Sequence, residues 1–426
     1  MKAFDTLAEW LAYLETLHPQ SIAMGLDRVR AVYQRLGVAL DVPVIVVAGT
    51  NGKGSTCAFL DAMLRAAGYR VGLYTSPHLA RYNERVRIDG QPATDATLMS
   101  AFAAVERARV DATPPTPLTY FEFGTLAALM LFAQQPLDAL VLEVGLGGRL
   151  DAVNLVDADV AVITTVDLDH QDFLGDTREA IGAEKAGILR AGRPAVVGER
   201  DPPASVLAAG ERLGAALLRL GEGFDYVDQG TQWRYRGPGG ERYGLPMPAL
   251  RGRYQLANAS TAMAALGLLA QRLPVDAGAV RTGLTSVALR GRFQVIPGRP
   301  TIVLDVAHNP QAARMLAATL GDMGFHPRTL AVFGMLADKD IATVVDAVRA
   351  RIDRWFVAPL PGPRGATAGV LAAHLRARGV ADESIVECTS VADALAKARS
   401  EAVDADRIVA FGSFLTVAAA LAALQR

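Results

Sequence analysis

A glycine-rich segment that can bind phosphate stands early in the chain, AGTNGKGST at Ala48 to Thr56. It follows the apolar run PVIVVAG and precedes a helical pattern, which is the strand, turn and helix context of a phosphate loop. Backbone N–H groups and the helix N-terminus would attract phosphate oxygens, Lys53 could reach the β- and γ-phosphates, and Ser55 could bind Mg²⁺. The loop is two residues shorter than GxxxxGK[ST] and has an extra glycine after Lys53. The alternative is a tight turn with a solvent-facing lysine, but the context favours nucleotide binding.

Acidic residues stand at the ends of two further apolar runs. Glu143 ends a predicted strand just before GLGG, and the segment VDLDH ends the next predicted strand with Asp167, Asp169 and His170. Side chains at the carboxyl ends of parallel strands face the crevice where ligands bind, and carboxylate oxygens suit Mg²⁺. Each residue by itself could be a helix cap or a salt-bridged carboxylate. The set predicts a metal site at one edge of a sheet.

Lys185 lies within AEKAGIL, an otherwise small and apolar helical segment. Charged residues are mostly solvated, so this residue taken by itself is expected to be an exposed helical lysine.

The second half of the chain repeats the pattern of a strand that ends in polar residues. The run IVLDVAHNP places Asp305 at a predicted strand end, followed by His308 and Asn309 before a helix. Asp305 could accept hydrogen bonds from a ribose or hold a lysine, and His308 could serve a phosphate, although a helix cap is the alternative for each. Arg292 could reach nucleotide phosphates when two domains close.

These residues require parallel sheets to position them. We predict an α/β fold with a parallel-sheet phosphate-loop domain and a smaller Rossmann-like α/β domain, the first over residues 1–290 and the second over 291–426. The boundary is expected near Ala288 to Arg292, and a turn-rich β appendage between Gly221 and Pro248. Further predicted strands cover 43–49, 70–75, 139–144, 160–166, 194–198, 302–306, 330–334, 355–358, 384–387 and 408–412.

Helices are expected between these strands and near the N-terminus. The N-terminal segment MKAFDTLAEWLAYLETLHPQ is interpreted as an amphipathic helix. Later helices are predicted over 55–67, 121–134 and 177–189, the last with Asp176 as N-cap. The most apolar stretches, 126–132 and 415–424, are shorter than the ~20 residues that span a bilayer and are predicted to be core helices.

Composition and charge narrow the function classes. The chain of 426 residues is 51% hydrophobic and 20% charged, with a net charge of -1. This balance is typical of a globular protein and lacks the basic footprint of nucleic-acid binding. Cys57 and Cys388 form neither a disulfide framework nor a zinc pattern. We therefore expect a cytoplasmic protein with no nucleic-acid or membrane partner.

Taken in order, the motifs resemble those of dihydrofolate synthase and folylpolyglutamate synthase, relatives of the Mur ligases. The segments that carry the resemblance are GTNGKGS, TSPHL, EVGLGGRLDAVN, VDLDH, AEKAGIL and DVAHNP. The resemblance implies a Mur-ligase-like fold that binds ATP and two Mg²⁺ ions between its domains. It also implies a reaction in which L-glutamate is joined to dihydropteroate or to reduced folates through an acyl phosphate, by an enzyme that is usually monomeric.

The resemblance assigns roles to individual residues. It implies that Ser55, Glu143 and His170 hold Mg²⁺ and that Lys185 is carbamylated, with carbamate oxygens that reach the second metal ion. A lysine reacts with CO₂ only as the neutral amine, so apolar neighbours would help by lowering its pKa. The predicted catalytic residues are Lys53, Lys185 and His308. The expected ATP contacts are Asn51, Gly52, Lys53, Gly54, Ser55, Asn258, Arg292 and Asp305.

The pterin-acid pocket of bacterial bifunctional members matches three segments of this sequence, which are expected to be loops. The implied substrate residues are Met24, Gly25, Leu26, Asp27, Thr119, Tyr120, Phe121, Glu122, Leu150, Asp151 and Ala152.

Two other functions fit part of the pattern. A Mur ligase that extends a UDP-sugar peptide generally has a nucleotide-sugar domain before the phosphate loop, and only 48 residues precede Gly49 here. A regulatory nucleotide switch would bind ATP or GTP without the metal-ligand set. Monofunctional and bifunctional folate ligases both remain compatible with the sequence.

Overall fold

The computed structural model describes residues 4–20 and 22–425, which divide into two compact units. Unit 1 comprises Met1–Ala249 and Leu256–Val287, and unit 2 comprises Leu250–Gln255 and Ala288–Arg426. The second unit thus includes a short segment of chain that lies well before its main part. The first three residues of the predicted N-terminal helical segment fall outside the described residues.

Unit 1 is built from strands and helices that mostly alternate along the chain. Its strands are β1 Val44–Ala48, β2 Val71–Tyr74, β3 Val86–Ile88, β4 Gln91–Pro92, β5 Ala139–Glu143, β6 Val160–Ile163, β7 Ala195–Val197, β8 Leu217–Arg219, β9 Asp225–Asp228, β10 Gln232–Gly237 and β11 Gly240–Pro246. Its helices are α1 Leu7–Leu14, α2 Asp27–Leu36, α3 Lys53–Ala66, α4 Asp95–Val110, α5 Tyr120–Ala133, α6 Gln171–Leu174, α7 Arg178–Lys185, α8 Ala204–Leu213, α9 Tyr254–Leu268, whose first two residues belong to unit 2, and α10 Ala277–Ser286.

The main sheet of unit 1 places the phosphate-loop strand among parallel neighbours. Within the described residues its eight strands run in the order β4-β3-β2-β5-β1-β6-β7-β8, and β3 is antiparallel to both of its neighbours, β2 and β4. All five residues of β1 are buried, as expected of a strand covered on both faces. The appendage is a separate antiparallel sheet in the order β11-β10-β9.

Unit 2 is a second α/β unit. Its strands are β12 Gln294–Ile296, β13 Thr301–Asp305, β14 Thr329–Phe333, β15 Arg354–Val357, β16 Ile385–Glu387 and β17 Arg407–Phe411. Its helices are α11 Pro310–Asp322, α12 Ile341–Val348, α13 Ala368–Ala377, α14 Val391–Glu401 and α15 Phe414–Leu424. The strand order is β12-β13-β17-β14-β15-β16, with β12 antiparallel to β13. The expected α/β class is confirmed, with one parallel sheet in each unit.

Several local predictions were wrong in detail. The cap of α7 is Thr177 rather than Asp176, because the Thr177 hydroxyl accepts a hydrogen bond from the backbone N–H of Ala180. Strand β6 ends at Ile163, so VDLDH lies in a loop beyond the strand. The short strands β3, β4, β8 and β12 were not predicted, since runs of two or three residues carry little periodicity.

The segments expected to be substrate loops are partly helical. Asp27 begins α2, Tyr120 begins α5 with Thr119 as its N-cap, and Ala152 begins a short 3-10 helix. Across the described residues, no helix has the length and apolarity to cross a bilayer.

Candidate nucleotide and metal site

The phosphate loop joins β1 directly to α3. Gly52, at φ +87°, occupies the N-cap position, and it caps the helix without a side chain. The backbone N–H groups of the first turn of a helix have no intrahelical acceptor, so they are available to an anion. The Lys53 ammonium group donates to the carbonyl oxygens of Gly49 at 2.8 Å and Thr50 at 3.2 Å. The positive charge of Lys53 is thereby held against the loop itself.

Two glycines of the loop are required by the space around them. A Cβ atom added to Gly49 would stand 1.8 Å from the Thr164 hydroxyl oxygen, and one added to Gly52 would stand 2.5 Å from Oδ1 of Asn258. Both residues also have positive φ angles, which side chains disfavour. The structure therefore places Asn258, a predicted ATP contact on α9, directly against the phosphate loop.

Threonines after β6 bind the loop from the other side. The Thr164 hydroxyl donates to the Asn51 carbonyl at 2.6 Å, and the Thr165 hydroxyl accepts from the Asn51 N–H at 3.1 Å. The backbone N–H of Thr50 donates to the Thr165 carbonyl at 2.7 Å. These bonds fix the loop before any ligand arrives.

Glu143 lies where the sequence pattern predicts it, at the carboxyl end of β5. Glu143 is 4% exposed, and one of its carboxylate oxygens accepts a hydrogen bond from the backbone N–H of Ser76 at 3.1 Å. Ser76 follows β2, the strand on the other side of β5 from β1. The acid is thus held at the sheet edge from which the phosphate loop also departs.

The pKa of Cys57 on α3 is affected by the charges of both Lys53 and Glu143. This thiol is fully buried, and burial raises its pKa well above the usual range. The Glu143 carboxylate raises the pKa of Cys57 further, and the Lys53 ammonium lowers it. Both charged groups therefore act on the same buried atom, so they share one neighbourhood.

Lys185 is buried, contrary to the expectation for this residue taken by itself, which the family resemblance had already reversed. It ends α7 with 3% exposure, and burial, aided by the nearby positive charge of Lys53, lowers its pKa to about 7. Asp169 and Asp151 oppose this shift. An amine with this pKa is largely neutral at mildly alkaline pH, which is the form that reacts with CO₂.

His170 has a left-handed backbone, with φ +53° and ψ 41°, at the start of α6. Its Nε2 atom lies 3.9 Å from the Asp169 carboxylate, and about a third of its side chain is exposed. A non-glycine residue in this conformation carries strain that the surrounding structure must sustain, and such residues cluster at functional sites.

The predicted metal ligands come from four separate segments of unit 1. In the described part of the chain, no three His, Cys, Asp or Glu side chains are arranged to hold a metal ion by themselves. The predicted set instead draws on a hydroxyl group, Ser55, and on a modified amine, Lys185. Ser55 is 2% exposed in the first turn of α3, and Glu143 and Lys185 are similarly buried. Hydroxyl and carboxylate oxygens are the donors that a hard divalent ion prefers, and Lys185 would add oxygen donors as a carbamate.

An ion pair joins Glu122, in one predicted substrate segment, to Arg28, the residue that directly follows another. Arg28 contacts the Glu122 carboxylate at 2.8 Å, and Glu122 also accepts from the Thr119 N–H at 2.8 Å. Thr119 and Glu122 form a capping box at the start of α5. Glu122 therefore has a structural function at the positions where a substrate role is predicted.

The third predicted substrate segment carries a buried acid, Asp151. It accepts from the backbone N–H groups of Leu146 and Val153, each at 2.9 Å, and burial raises its pKa to about 7. Lys53 partly offsets this rise. Asp151 thus holds the GLGG turn and shares an electrostatic environment with Lys53 and Lys185.

The predicted residues of unit 2 lie together at the end of β13. Asp305 accepts from the N–H groups of Phe293 and Ala307 at 2.8 Å each, and burial raises its pKa. Arg292 lies over the ring of Phe414, 5.0 Å from its centroid. His308 Nδ1 is 2.8 Å from the Val306 carbonyl oxygen. Asp305 thus binds backbone groups, and its role toward ribose stays a prediction.

Ser76, Thr164 and Thr165 were missed as site residues. The search at the ends of predicted strands considered charged residues, and these three residues are uncharged. Ser76 and Thr164 follow strands β2 and β6, so a search that included every polar residue after a strand would have found them.

Comparisons with known proteins identify the family of this chain. Residues 47–266 match the Mur ligase middle domain, and residues 291–414 match the glutamate ligase domain of Mur ligases. The dihydrofolate synthase/folylpolyglutamate synthase of Escherichia coli (strain K12) is 47% identical over 418 residues, which cover 98% of this chain and 95% of that protein.

Solved structures show the same relationship. The E. coli FolC structure in complex with DHPP and ADP has a TM-score of 0.93 and 46% identity, covering 100% of this chain and 99% of that one. A bifunctional folylpolyglutamate synthase/dihydrofolate synthase with Mn, AMPPNP and L-glutamate bound has a TM-score of 0.91 and 47% identity, covering 100% of both chains. The resemblance seen in the motifs is confirmed: the chain belongs to the dihydrofolate synthase/folylpolyglutamate synthase family of Mur ligases.

Proposed function

We propose that this protein joins L-glutamate to dihydropteroate and to reduced folates, using ATP and forming ADP. The observation that carries the proposal is that Lys53, held by the phosphate loop, acts both on the buried Cys57, on which Glu143 also acts, and on the buried Lys185. A loop that only binds nucleotide phosphates needs Lys53 but neither Glu143 nor Lys185. The relatives that match this chain over almost its full length carry the same named activity.

The reaction proceeds in two transfers. A carboxylate oxygen of the pterin acid attacks the γ-phosphorus of ATP, the bond to the β-phosphate oxygen breaks, and ADP leaves. The glutamate amine then attacks the carbonyl carbon of the acyl phosphate, and inorganic phosphate departs as the amide bond forms. Catalysis of such transfers rests on positioning and on electrostatic stabilisation.

The phosphate loop would position the triphosphate of ATP. The N–H groups that start α3 and the Lys53 ammonium would bind the β- and γ-phosphate oxygens, because both present positive potential to the same space. Asn258 would contact the nucleotide beside Gly52. Arg292, Asp305 and His308 are assigned to ATP and phosphate from unit 2.

Ser55, Glu143 and His170 would hold divalent metal, with Lys185 as a carbamate that reaches a second ion. Bound Mg²⁺ would neutralise the charge that develops on the transferred phosphoryl group. The low pKa and burial of Lys185 support carbamylation, since the amine must lose its proton before it attacks CO₂. The carbon–nitrogen bond that forms leaves a carbamate with two oxygen donors.

The acceptor pocket is assigned to residues 24–27, 119–122 and 150–152. The Arg28 to Glu122 pair supports this proposal because it ties residue 28, directly after the first segment, to the second segment. We further propose that residues 1–290 carry ATP and pterin binding and residues 291–426 the glutamate-ligase part, in a monomeric cytoplasmic enzyme.

The test is a ligation assay on the purified protein. Mg-ATP and L-glutamate are supplied with either dihydropteroate or tetrahydrofolate, and both ADP and the mass of the pterin product are measured. The proposal expects one added glutamate per ADP with each acceptor. ATP binding without ADP release on either acceptor would instead favour a nucleotide switch.

A further inference from the structure

The loop that carries His170 is attached to an ion pair that the ligation mechanism does not use. The backbone N–H of Val166 donates to one oxygen of Glu199 at 2.6 Å, and the Val166 carbonyl accepts from Arg178 Nε at 2.8 Å. The Arg178 and Glu199 side chains also contact each other directly. The backbone N–H and carbonyl groups of Val166 are thus bound by Glu199 and Arg178, the two members of one ion pair.

Sheet topology explains why these partners meet. Glu199 follows β7, and Val166 follows β6, its parallel neighbour. Arg178 is the first residue of α7, and its Nη2 atom also donates to the Asp201 carbonyl at 2.9 Å. The pair therefore joins the start of the helix that ends in Lys185 to the loop that leads to His170.

The phosphate loop holds the next residue. The Thr50 hydroxyl donates to the Asp167 carbonyl and accepts from the Asp167 N–H, at 3.0 Å in each case. Four consecutive backbone groups, from the Val166 N–H to the Asp167 carbonyl, are consequently bound by side chains from three other segments. Such a density of side-chain contacts is the kind of support that the left-handed His170 requires.

We propose that Arg178 and Glu199 are positioning residues that fix the Val166–His170 loop so that His170 is held ready to bind divalent metal. The inference rests on the proposed metal role of His170. Groups that orient metal ligands from outside typically change metal affinity or activity by about 10- to 100-fold when removed. Neither Arg178 nor Glu199 needs to touch substrate for this effect.

The test compares two conservative variants with a matched control. Arg178→Lys keeps the charge but loses the planar fork that reaches Val166 and Glu199 together. Glu199→Gln keeps an acceptor for the Val166 N–H but loses the charge. The control is Arg200→Gln, which breaks the neighbouring ion pair with Asp225, a residue of the β appendage.

Metal binding is measured directly as well as through turnover. Electron paramagnetic resonance of free Mn²⁺, titrated into the protein with saturating ADP, gives an apparent affinity that does not depend on catalysis. Steady-state assays then give kcat and the KM for Mg²⁺. Wild-type protein that bound no Mn²⁺ would refute the metal proposal itself, which separates that failure from a failure of this inference.

We expect Arg178→Lys and Glu199→Gln to weaken Mn²⁺ binding by about 10-fold or more and to raise the KM for Mg²⁺, with the control unchanged. The double variant should be little worse than either single one, since the two residues act as a unit. Mn²⁺ affinity within twofold of wild type in both single variants would overturn the proposal. The same affinity together with a lowered Tm would also overturn it, because the pair would then be purely structural.

Discussion

Val47 of β1 and Glu143 of β5 are register partners in the parallel pairing of the two central strands. The chain therefore leaves β1 for the phosphate loop beside the point where Glu143 ends β5. Parallel pairing brings the carboxyl ends of both strands to one edge, so a phosphate-binding loop and a buried carboxylate meet without being near each other in sequence.

Removing the predicted metal ligands should abolish ligation and leave the fold intact. We expect Ser55→Ala and Glu143→Ala each to lower kcat by about 100-fold or more, because metal stabilisation of the transition state amounts to several kcal/mol. ADP release measures the effect, and circular dichroism checks the fold. Ser260→Ala is the control, since Ser260 is a buried serine of α9 outside the assigned site. Wild-type kinetics in the first two variants would reject the metal assignment.

Gly52→Ala should impair nucleotide binding because the added Cβ atom meets Asn258, in addition to the strain that any side chain adds to a left-handed backbone. Gly68 has a similar φ, +92° against +87°, but a Cβ atom there would meet nothing within 4 Å. Both substitutions should cost about 1–2 kcal/mol of stability from the left-handed backbone. Only Gly52→Ala pushes on Asn258, so only this variant should raise the Kd for ATP, by about tenfold. Calorimetric titration with ATP decides between them, and equal Kd values would contradict the assignment of Asn258.

Lys185→Ala should lose activity and regain part of it with a short-chain carboxylic acid, which can replace the carbamate oxygens. Lys397→Ala, at an exposed lysine of α14, should behave as wild type in both conditions. The carbamate itself is measured by ¹³C NMR after incubation with ¹³CO₂ and metal. Its signal should rise as the pH passes about 7, because the amine becomes neutral there. A free amine in metal-bound, CO₂-replete protein would count against carbamylation.

In CO₂-free buffer the buried amine of Lys185 should make the free energy of unfolding depend on pH. Between pH about 7 and 10.5 the unfolded chain binds a proton at Lys185 that the folded chain does not. The free energy of unfolding should therefore rise with pH across this window, and the cost of burying the amine should be fully present below pH 7. Lys185→Met should flatten that rise in denaturant titrations, whereas an unchanged slope would show that the amine keeps its ordinary pKa.

Glu122→Gln should reduce stability and also weaken binding of the pterin acid. Breaking a buried ion pair costs about 3–5 kcal/mol, although the partial exposure of Arg28 reduces this figure. Glu106→Gln is the control, because Glu106 forms a similarly buried pair with Arg109 away from the predicted substrate segments. Both variants should lower Tm, but only Glu122→Gln should raise the KM for dihydropteroate. A raised KM for dihydropteroate in both variants would show that the loss of stability, and not a change in the pocket, affects substrate binding.

The amino-acid sequence by itself determined the longer strands of both units, the phosphate loop and the identity of Lys53, Ser55 and Glu143 as candidates. Local patterns suffice for these because buried strands, glycine-rich turns and helix starts depend on neighbouring residues. They fail at the ends of elements, as at β6 and at the cap of α7, where one or two residues change the hydrogen bonding.

Tertiary structure decided the environment of each candidate. Lys185 reads as an exposed helical lysine, yet packing buries it and lowers its pKa. The contacts of Glu122 with Arg28 and of Asp305 with the Phe293 N–H follow from no local pattern. Thr164 touches the phosphate loop only because β6 pairs with β1. Burial and electrostatic coupling arise from segments far apart in the chain, so they are set by how the strands pair and not by the spacing of residues within any one of them.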